Sequence, residues 1–243
     1  MKVTILHLYP DVMNLYGEYA NVAVLCRHLE ALGVEADVQT AGEDADFSTA
    51  DFIYMGAGTE RKQKYVLAAA PRQAEGLRAA VEQGAAVLFT GNAMETLGAS
   101  VSSAAGKVWP GYALADFTTV ETEKRSPADV VAVSTLWEAP AVGFMNKCSV
   151  TRGAATPLFS ELSLGFGNEE EHGAEGYVSG NVFATHITGP ILVKNPDFTD
   201  LLIRRLFARK NWTVPERLPV LPHEREAYAV TLRELRGRIG REG

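Results

Sequence analysis

A predicted strand that turns sharply into a helix is the part of this sequence best suited to nucleophilic chemistry. Residues 86–98 read Ala-Val-Leu-Phe-Thr-Gly-Asn-Ala-Met-Glu-Thr-Leu-Gly. The small apolar run at 85–89 predicts a buried strand of a parallel sheet, and Gly91 allows a tight turn that lifts one side chain above the sheet. In α/β hydrolytic and acyl-transfer folds such a turn holds the nucleophile. Here it reads Thr90, Gly91, Asn92, so it holds neither Cys nor Ser.

Alternating strands and helices surround this turn in the first hundred residues. We predict strands at 3–8, 34–38, 51–55 and 85–89, a helix near 22–32, and one or two helices over 62–83 with a break at Pro71. This order indicates an α/β fold: a doubly wound, mostly parallel sheet with helices on both faces. The glycine-containing loops after Met55 and after Thr90 should face one crevice at the carboxyl edge of the sheet. Asp11, Asn14 and Glu18 either reach the same edge or cap the first helix.

The second half of the chain is β-rich. We predict strands at 118–122, 129–133, 141–144 and 178–186, a helix around 201–207 and a last helix over 224–239. We divide the chain into a domain of residues 1–210 and a Pro-containing connector with a C-terminal helix at 211–243. The apolar stripe of that helix is expected to pack on its own domain rather than dock on a partner.

Composition excludes several classes of function. With 243 residues and 47% hydrophobic side chains, the chain can fill a sizeable core. No signal peptide or membrane-spanning run is present in the sequence, and two cysteines suit a reducing compartment, so we expect a cytoplasmic protein. The net charge of −7, with no basic run longer than Arg204-Arg205, argues against nucleic acid as a principal partner.

Several short motifs follow one another in a fixed order over the first 210 residues. They are Leu-Tyr-Pro-Asp at 8–11, Asn-Leu-Tyr-Gly-Glu at 14–18, Gly-Ala-Gly-Thr-Glu-Arg-Lys-Gln at 56–63, Gly-Phe-Met-Asn at 143–146, Gly-Phe-Gly-Asn at 165–168, Glu-Gly at 175–176 and Gly-Pro-Ile-Leu-Val-Lys-Asn-Pro at 189–196. Together they resemble the CobB/CobQ-like (cobyric acid synthase-type) class I glutamine amidotransferases. Within that family the sequence most resembles the GatD subunits of lipid II isoglutaminyl synthase.

The resemblance implies which positions would be catalytic. In that family the turn reads Cys-Gly-Gly-aromatic-Gln, the Cys attacks the side-chain amide of glutamine, and a His just before Gly-Pro acts as the base. Matching the shared Leu97-Gly98 and Gly189-Pro190 puts Gly91 at the Cys position and Thr188 at the His position. Glycine has no side chain to attack with, and threonine is no base near neutral pH. We therefore predict that the glutaminase chemistry is lost.

The same resemblance implies which residues border the substrate and the oxyanion. They are Gly56, Ala57, Gly58, Asn92 and Asn146. Two residues are candidate substitutes for the catalytic pair: Cys148, in a loop that borders the site in the family, and His186, two positions before the expected base on the same strand face. The simpler interpretations are a free thiol and a strand histidine satisfied by a neighbour. Thr90 adjoins the turn, but its side chain should point into packing.

The family also implies a partner. In it, the glutaminase subunit passes ammonia to a Mur-ligase-like (MurT-type) subunit, which uses ATP to activate the D-glutamate carboxylate of the peptidoglycan stem peptide. Our hypothesis is a binding or scaffolding subunit of such a complex. The alternatives are an active glutaminase that uses Cys148 with His186, and a non-catalytic sensor that binds glutamine or a related amino acid. We expect no cofactor and no metal; the charged run Glu169–His172 should be solvated.

Overall fold

Residues 1–239 are described by a computed structural model, and within them the chain forms eleven strands in two sheets and six α-helices. Residues 240–243, the end of the predicted C-terminal segment, lie outside the described residues. The strands are β1 (Lys2–Leu8), β2 (Glu35–Ala41), β3 (Phe52–Met55), β4 (Ala86–Thr90), β5 (Ser100–Ser102), β6 (Val108–Pro110), β7 (Thr118–Ser134), β8 (Ala141–Arg152), β9 (Phe159–Leu164), β10 (Tyr177–Ser179) and β11 (Val182–Thr185). The helices are α1 (Tyr19–Ala31), α2 (Glu60–Glu82), α3 (Ala93–Thr96), α4 (Ile191–Lys194), α5 (Pro196–Arg209) and α6 (Glu224–Ile239).

The first sheet has the predicted architecture, except that the strand predicted at 178–186 is two antiparallel strands, β10 and β11, with His186 just beyond the second. Its strand order is β10-β11-β4-β3-β1-β2, and every neighbouring pair is parallel except β10 with β11. Successive side chains of a strand point to opposite faces. On β1, Val3 and Ile5 pack with residues of α1 and α5, whereas Leu6 and Leu8 pack with residues of α2 on the other face. The predicted doubly wound, mostly parallel sheet is therefore confirmed.

The second sheet carries the β-rich half of the chain. Strands run in the order β6-β5-β7-β8, and β9 pairs with β7. The segments predicted as separate strands at 118–122 and 129–133 belong to one long strand, β7, whose register with β8 shifts between Glu121 and Ser126. The charged residues between the two segments therefore form part of the strand rather than a loop.

Helix α2 is continuous, so the predicted break at Pro71 is wrong. A proline inside a helix removes one backbone hydrogen bond and crowds the preceding turn. The side chain of Thr59 caps the start of α2 by accepting from Lys62 N at 3.3 Å, and Val66, Ala70 and Leu77 are fully buried against the first sheet. Packing along both halves of the helix outweighs the cost of the proline.

The C-terminal helix α6 packs on the same chain, as expected. Leu235 is 5% exposed and forms a small cluster with Val131 and Val142 of the second sheet. At the start of the helix, Glu224 Oε1 lies 2.9 Å from Nε2 of the buried His28 on α1. Among residues 1–239, no helix has the length and apolar character needed to span a membrane.

Candidate functional site

The turn after β4 has the backbone of a nucleophile elbow without a side chain at its apex. Gly91 follows the last residue of β4 and has a φ of +59°, in the left-handed region that glycine adopts without strain. Helix α3 begins two residues later, at Ala93. The chain thus makes the sharp strand-to-helix turn at the carboxyl edge of the sheet.

Neighbouring side chains fill the space that a nucleophile at position 91 would need. A β-carbon added to Gly91 would lie 2.5 Å from Cβ of Ala57 and 3.0 Å from Cγ2 of Thr188. Non-bonded carbon atoms normally approach to about 3.5–4.0 Å. A Cys or Ser at this position would require the loop that carries Ala57 to move.

The glycine loop after β3 is hydrogen-bonded to the elbow itself. The backbone N–H of Gly58 donates to Oδ1 of Asn92 at 2.9 Å, and the carbonyl of Asn92 accepts from Nε2 of Gln63 at 2.7 Å. The N–H of Gly58, which the resemblance places at the oxyanion, is therefore already hydrogen-bonded within the chain. Gly56 lies behind the loop, where an added β-carbon would meet Cβ of Glu18 at 2.7 Å.

Thr188, at the position of the expected base, is a packed structural residue. It is 2% exposed, its backbone pairs with Phe144, and its hydroxyl donates to the carbonyl of Phe144 at 3.1 Å. A threonine hydroxyl held in this way has no basic group to offer a nucleophile.

Glu18 is a buried carboxyl group beside the elbow. It is fully buried, and its Oε1 accepts from the backbone N–H of Gly189 at 3.1 Å. Its Oε2 lies 3.0 Å from the hydroxyl of Tyr54 and contacts the hydroxyl of Thr90. Burial raises the pKa of Glu18 and outweighs these hydrogen bonds, which favours the neutral acid. Thr90 is thus tied into this buried network, in line with the expectation that it points into packing.

His186 lies directly after β11, between two buried carboxylates. Its Nδ1 is 3.0 Å from Oε1 of Glu175, and its Nε2 is 3.4 Å from Oε1 of Glu95. Burial and the nearby Lys147 ammonium act to lower the pKa of His186, but the two carboxylates outweigh them and raise it. The histidine lines the candidate site. Its Nδ1 is hydrogen-bonded to Glu175, whereas its buried Nε2 has no hydrogen-bond partner in the described part of the chain.

Cys148 has a different set of neighbours. Its thiol donates to Oε1 of Glu60 at 3.2 Å, and Nη2 of Arg125 lies 3.5 Å from the sulfur. Burial, together with the Glu60 carboxylate, raises the pKa of Cys148 to about 12. At neutral pH the residue is therefore a thiol rather than the nucleophilic thiolate.

A single cavity of about 190 Å³ brings most of the predicted site residues together. Those that line it are Ala57, Gly58, Gly91, Asn92, Asn146, Cys148, His186 and Thr188. Gly56, also predicted to border the substrate, is not among the residues that line the cavity and lies against Glu18 and Met13. Oδ1 of Asn146 is buried without a hydrogen-bond partner in the described part of the chain, whereas its Nδ2 donates to the hydroxyl of Tyr16 at 2.9 Å.

Sequence reasoning missed the charged residues of this cavity. Glu60, Glu121, Arg125 and Lys147 also line it. Lys147 follows the strand predicted at 141–144, but β8 continues to Arg152. The mixed polar and apolar residues after Phe144 could have extended that strand and brought Lys147 to the site.

The charged run Glu169–His172 lies outside this cavity. Its histidine is exposed and places Nδ1 3.0 Å from the carbonyl of Leu162. Among residues 1–239, no group of three or more His, Cys, Asp or Glu side chains is arranged to hold a metal ion.

Most of the chain matches a known protein family. Residues 4–196 match the CobB/CobQ-like glutamine amidotransferase domain. The chain therefore belongs to the family of CobB/CobQ-like glutamine amidotransferases, and the resemblance seen in the sequence motifs is confirmed.

Two relatives and one solved structure are similar to the chain over most of its length. The chain is 27% identical over 230 residues to the lipid II isoglutaminyl synthase (glutamine-hydrolyzing) subunit GatD of Staphylococcus aureus, covering 94% of this chain and 93% of the relative. It is 27% identical over 214 residues to the GatD subunit of Streptococcus pneumoniae, covering 86% and 82% of the two chains. The crystal structure of a glutamine amidotransferase matches with a TM-score of 0.54 at 14% identity, over 83% of this chain and 98% of the other, which shows a shared fold.

Proposed function

We propose that this chain is a GatD-like subunit of a complex that amidates a peptidoglycan precursor, lipid II, and that it does not hydrolyse glutamine itself. The observation that carries the proposal is the elbow at Gly91, where Ala57 and Thr188 fill the space of the missing nucleophile. The names of the two relatives support the cellular role, because both are subunits of lipid II isoglutaminyl synthase.

The proposed partner is a Mur-ligase-like, ATP-dependent subunit that activates the D-glutamate carboxylate of the stem peptide. Such a complex would work in the cytoplasm, where ATP is available. This chain would bind its partner through a rigid surface and hold it in a defined conformation. The ammonia for the reaction would come from solution.

The test is amidation by the complete complex with two nitrogen sources. With ATP and lipid II present, ammonium chloride should support amidation and glutamine should not. The readout is the mass of the stem peptide, which falls by about 1 Da when a carboxyl group becomes an amide. Amidation that runs on glutamine alone, in ammonia-free buffer, would contradict the proposal.

An active site rearranged around Cys148 and His186 is the first alternative. Both residues line the cavity, which favours it. Against it, the thiol is hydrogen-bonded to Glu60 and the imidazole to Glu175, so neither group is directed at the other by these contacts. If any glutamine hydrolysis is measured, Cys148→Ala should leave it unchanged; its loss in that variant would establish the rearranged site.

A non-catalytic amino-acid sensor is the second alternative, and the retained cavity favours it. Calorimetric titration with glutamine, glutamate and other amino acids separates a sensor from a scaffold. Saturable binding of one of them would support the sensor, and heats equal to dilution for all of them would remove it.

The division into residues 1–210 and 211–243 remains part of the proposal. Since Leu235 packs with Val142, removing the segment would expose apolar surface of the second sheet. Limited proteolysis tests the division. Cleavage between α5 and α6 that leaves a folded fragment of residues 1–210 would support two units, and loss of the whole fold on cleavage would oppose it.

A further inference from the structure

Two buried side-chain atoms of residues that line the cavity have no hydrogen-bond partner within residues 1–239. They are Nε2 of His186, whose side chain is 98% buried with an exposure of 2%, and Oδ1 of Asn146. Buried polar atoms in folded proteins are nearly always hydrogen-bonded. Both atoms are therefore candidate contacts for a ligand of the cavity.

The internal hydrogen bonds of these two residues make both atoms acceptors. Nδ2 of Asn146 donates to the hydroxyl of Tyr16 at 2.9 Å, which leaves the amide oxygen for another partner. Oε1 of Glu175 accepts the backbone N–H of His186 at 2.7 Å and lies 3.0 Å from Nδ1, so this contact assigns the ring hydrogen to Nδ1. A neutral imidazole with its hydrogen on Nδ1 presents a lone pair at Nε2.

Donors of the cavity wall are already bonded within the chain. The N–H of Gly58 donates to Oδ1 of Asn92 at 2.9 Å. Nη1 of Arg125 donates to the carbonyl of Asn146 at 3.1 Å, and its Nη2 pairs with Glu60. A carboxylate or another anion would have to compete for these donors, whereas a ligand that carries N–H groups would use the acceptors directly.

A carboxylate at the floor favours a positive charge on such a ligand. Oε1 of Glu95 lies 3.4 Å from Nε2 of His186, and Glu95 is 3% exposed. The nearby Lys147 donates to the backbone carbonyls of Gly167 and Asn168 instead of to this carboxylate. The positive charge beside Glu95 is supplied either by a proton on Nε2 or by a bound cation. An ammonium group brings the charge together with N–H donors.

We propose that the cavity binds a small ammonium group, the ammonium ion or the head of a primary amine, which donates to Asn146 Oδ1 and His186 Nε2 beside Glu95. The cavity of about 190 Å³ is far larger than the roughly 10–15 Å³ that one water molecule requires, so it also accommodates a short alkyl chain. The inference goes beyond the proposed function and is tested separately from it, because binding is measured on the chain alone, without partner or lipid II.

The first test titrates the wild-type chain with ammonium, methylammonium or butylammonium chloride. NMR follows the ring ¹⁵N signals of His186 and the side-chain amide of Asn146. Potassium and tetramethylammonium chloride at equal ionic strength are the controls, because they carry the charge without N–H groups. We expect saturable shifts of both signals with the ammonium salts alone.

The same titrations separate the two sources of the ammonium group. Saturation by the ammonium ion but not by butylammonium would assign the site to the free ion, and tighter binding of butylammonium would assign it to a primary amine. An equal response to potassium would overturn the proposal. So would the absence of a saturable shift with every salt, which would mean that the cavity takes up water only.

The second test changes the amide acceptor. Asn146→Leu removes an acceptor of a charge-assisted hydrogen bond and should weaken binding by about tenfold or more. Asn146→Asp keeps an oxygen and adds a negative charge, so it should bind more tightly than the wild type. Asn181→Leu is the matched control, since its amide donates to Gly84 outside the cavity, and it should bind as the wild type does. Wild-type affinity in an Asn146→Leu protein with a native circular dichroism spectrum would contradict the contact.

The third test changes the pH from about 6 to 8. A proton on Nε2 of His186 and the N–H of the ligand compete for one lone pair, so binding should tighten as pH rises, by at most about tenfold per unit. The ionisable groups around the ring are Glu95 from α3, Glu175 from the segment before β10 and Lys147 from β8. Burial opposes protonation of the ring, but the carboxylates outweigh it and raise the pKa of His186 above 6.5, which keeps this competition within the range measured. Equal or weaker binding at pH 8 than at pH 6 would contradict the contact with Nε2.

Discussion

The elbow and the floor of the cavity lie side by side but are built from opposite kinds of residue. At the elbow, Gly91, Ala57 and Thr188 leave no reactive group, and the nearby Glu18 carboxyl is driven toward its neutral form by burial. At the floor of the cavity, the buried imidazole of His186 lies 3.4 Å from a carboxylate oxygen of Glu95 and 3.0 Å from one of Glu175. Burial opposes ionisation of Glu95, but the hydrogen bond and attraction from His186 outweigh it and lower the pKa of that carboxylate.

This difference shows what the chain has kept of the family's site. The sharp turn, the glycine loop and the cavity are present, whereas positions 91 and 188, where the resemblance implies the nucleophile and the base, hold glycine and threonine. Of the charged residues that line the cavity, Glu60 pairs with Arg125, whereas Lys147 donates to the backbone carbonyls of Gly167 and Asn168.

The largest effect should come from neutralising a floor carboxylate. Glu95→Gln removes one charge of a buried ionic group and should lower the free energy of unfolding by roughly 3–5 kcal/mol at pH 7. Burial raises the pKa of Glu18 and so favours its neutral acid, which Glu18→Gln replaces with an amide of similar shape; we expect a change under about 1 kcal/mol. Urea unfolding of the two variants measures the contrast, and equal costs would remove the distinction between the two regions.

A smaller effect is expected from adding a methyl group at the elbow. Gly91→Ala combines a positive φ with a β-carbon 2.5 Å from Ala57, and should cost roughly 2–4 kcal/mol. Gly17→Ala is the matched control, since its φ is +74° and an added β-carbon meets nothing within 4 Å; it should cost only about 1–2 kcal/mol.

The double variant Ala57→Gly/Gly91→Ala tests whether contact with the Ala57 methyl group causes the destabilisation in Gly91→Ala. Removing the Ala57 methyl group should recover part of the loss in Gly91→Ala, so the two substitutions should be non-additive in unfolding experiments. Additive effects would mean that Ala57 does not fill the nucleophile position.

The smallest expected destabilisation comes from removing the hydrogen bond between the Gly58 N–H and Oδ1 of Asn92. Asn92→Ala leaves the Gly58 N–H without its acceptor and should cost about 1–2 kcal/mol. The exposed Asn14, whose Oδ1 accepts from Tyr19 N at 2.8 Å, provides the control Asn14→Ala. Hydrogen exchange of the Gly58 amide should become faster in Asn92→Ala and stay unchanged in Asn14→Ala; unchanged exchange in both would show that this bond does not protect the loop.

Much of the first sheet could be predicted from the sequence, because short apolar strands alternate with helices of clear period. The turn at Gly91 was identifiable for the same reason, since a small apolar strand precedes a glycine. Pro71 misled the prediction, because its local cost is outweighed by packing that is visible only in three dimensions. The long β7 was split for a related reason, since charged residues hide the strand in its middle.

The interior of the site could not be predicted, because it depends on contacts between distant segments. Nothing in the spacing of Ala57 and Gly91 indicates that the methyl group of Ala57 fills the space that a side chain at position 91 would need. The pairing of His186 with Glu95 joins residues from two elements, and the resemblance of motifs pointed to their positions without giving their partners. Sequence alone therefore indicated what the turn lacks, whereas the contacts that replace it required the structure.

Glutamine hydrolysis by the purified chain, alone and in complex with its Mur-ligase-like partner, tests the central claim most directly. Glutamate and ammonia release are followed together, with Cys148→Ala as a matched variant. The account predicts release equal to the protein-free background in every sample. Release that increases in proportion to protein concentration would contradict it, and the loss of that release in Cys148→Ala would assign the activity to Cys148.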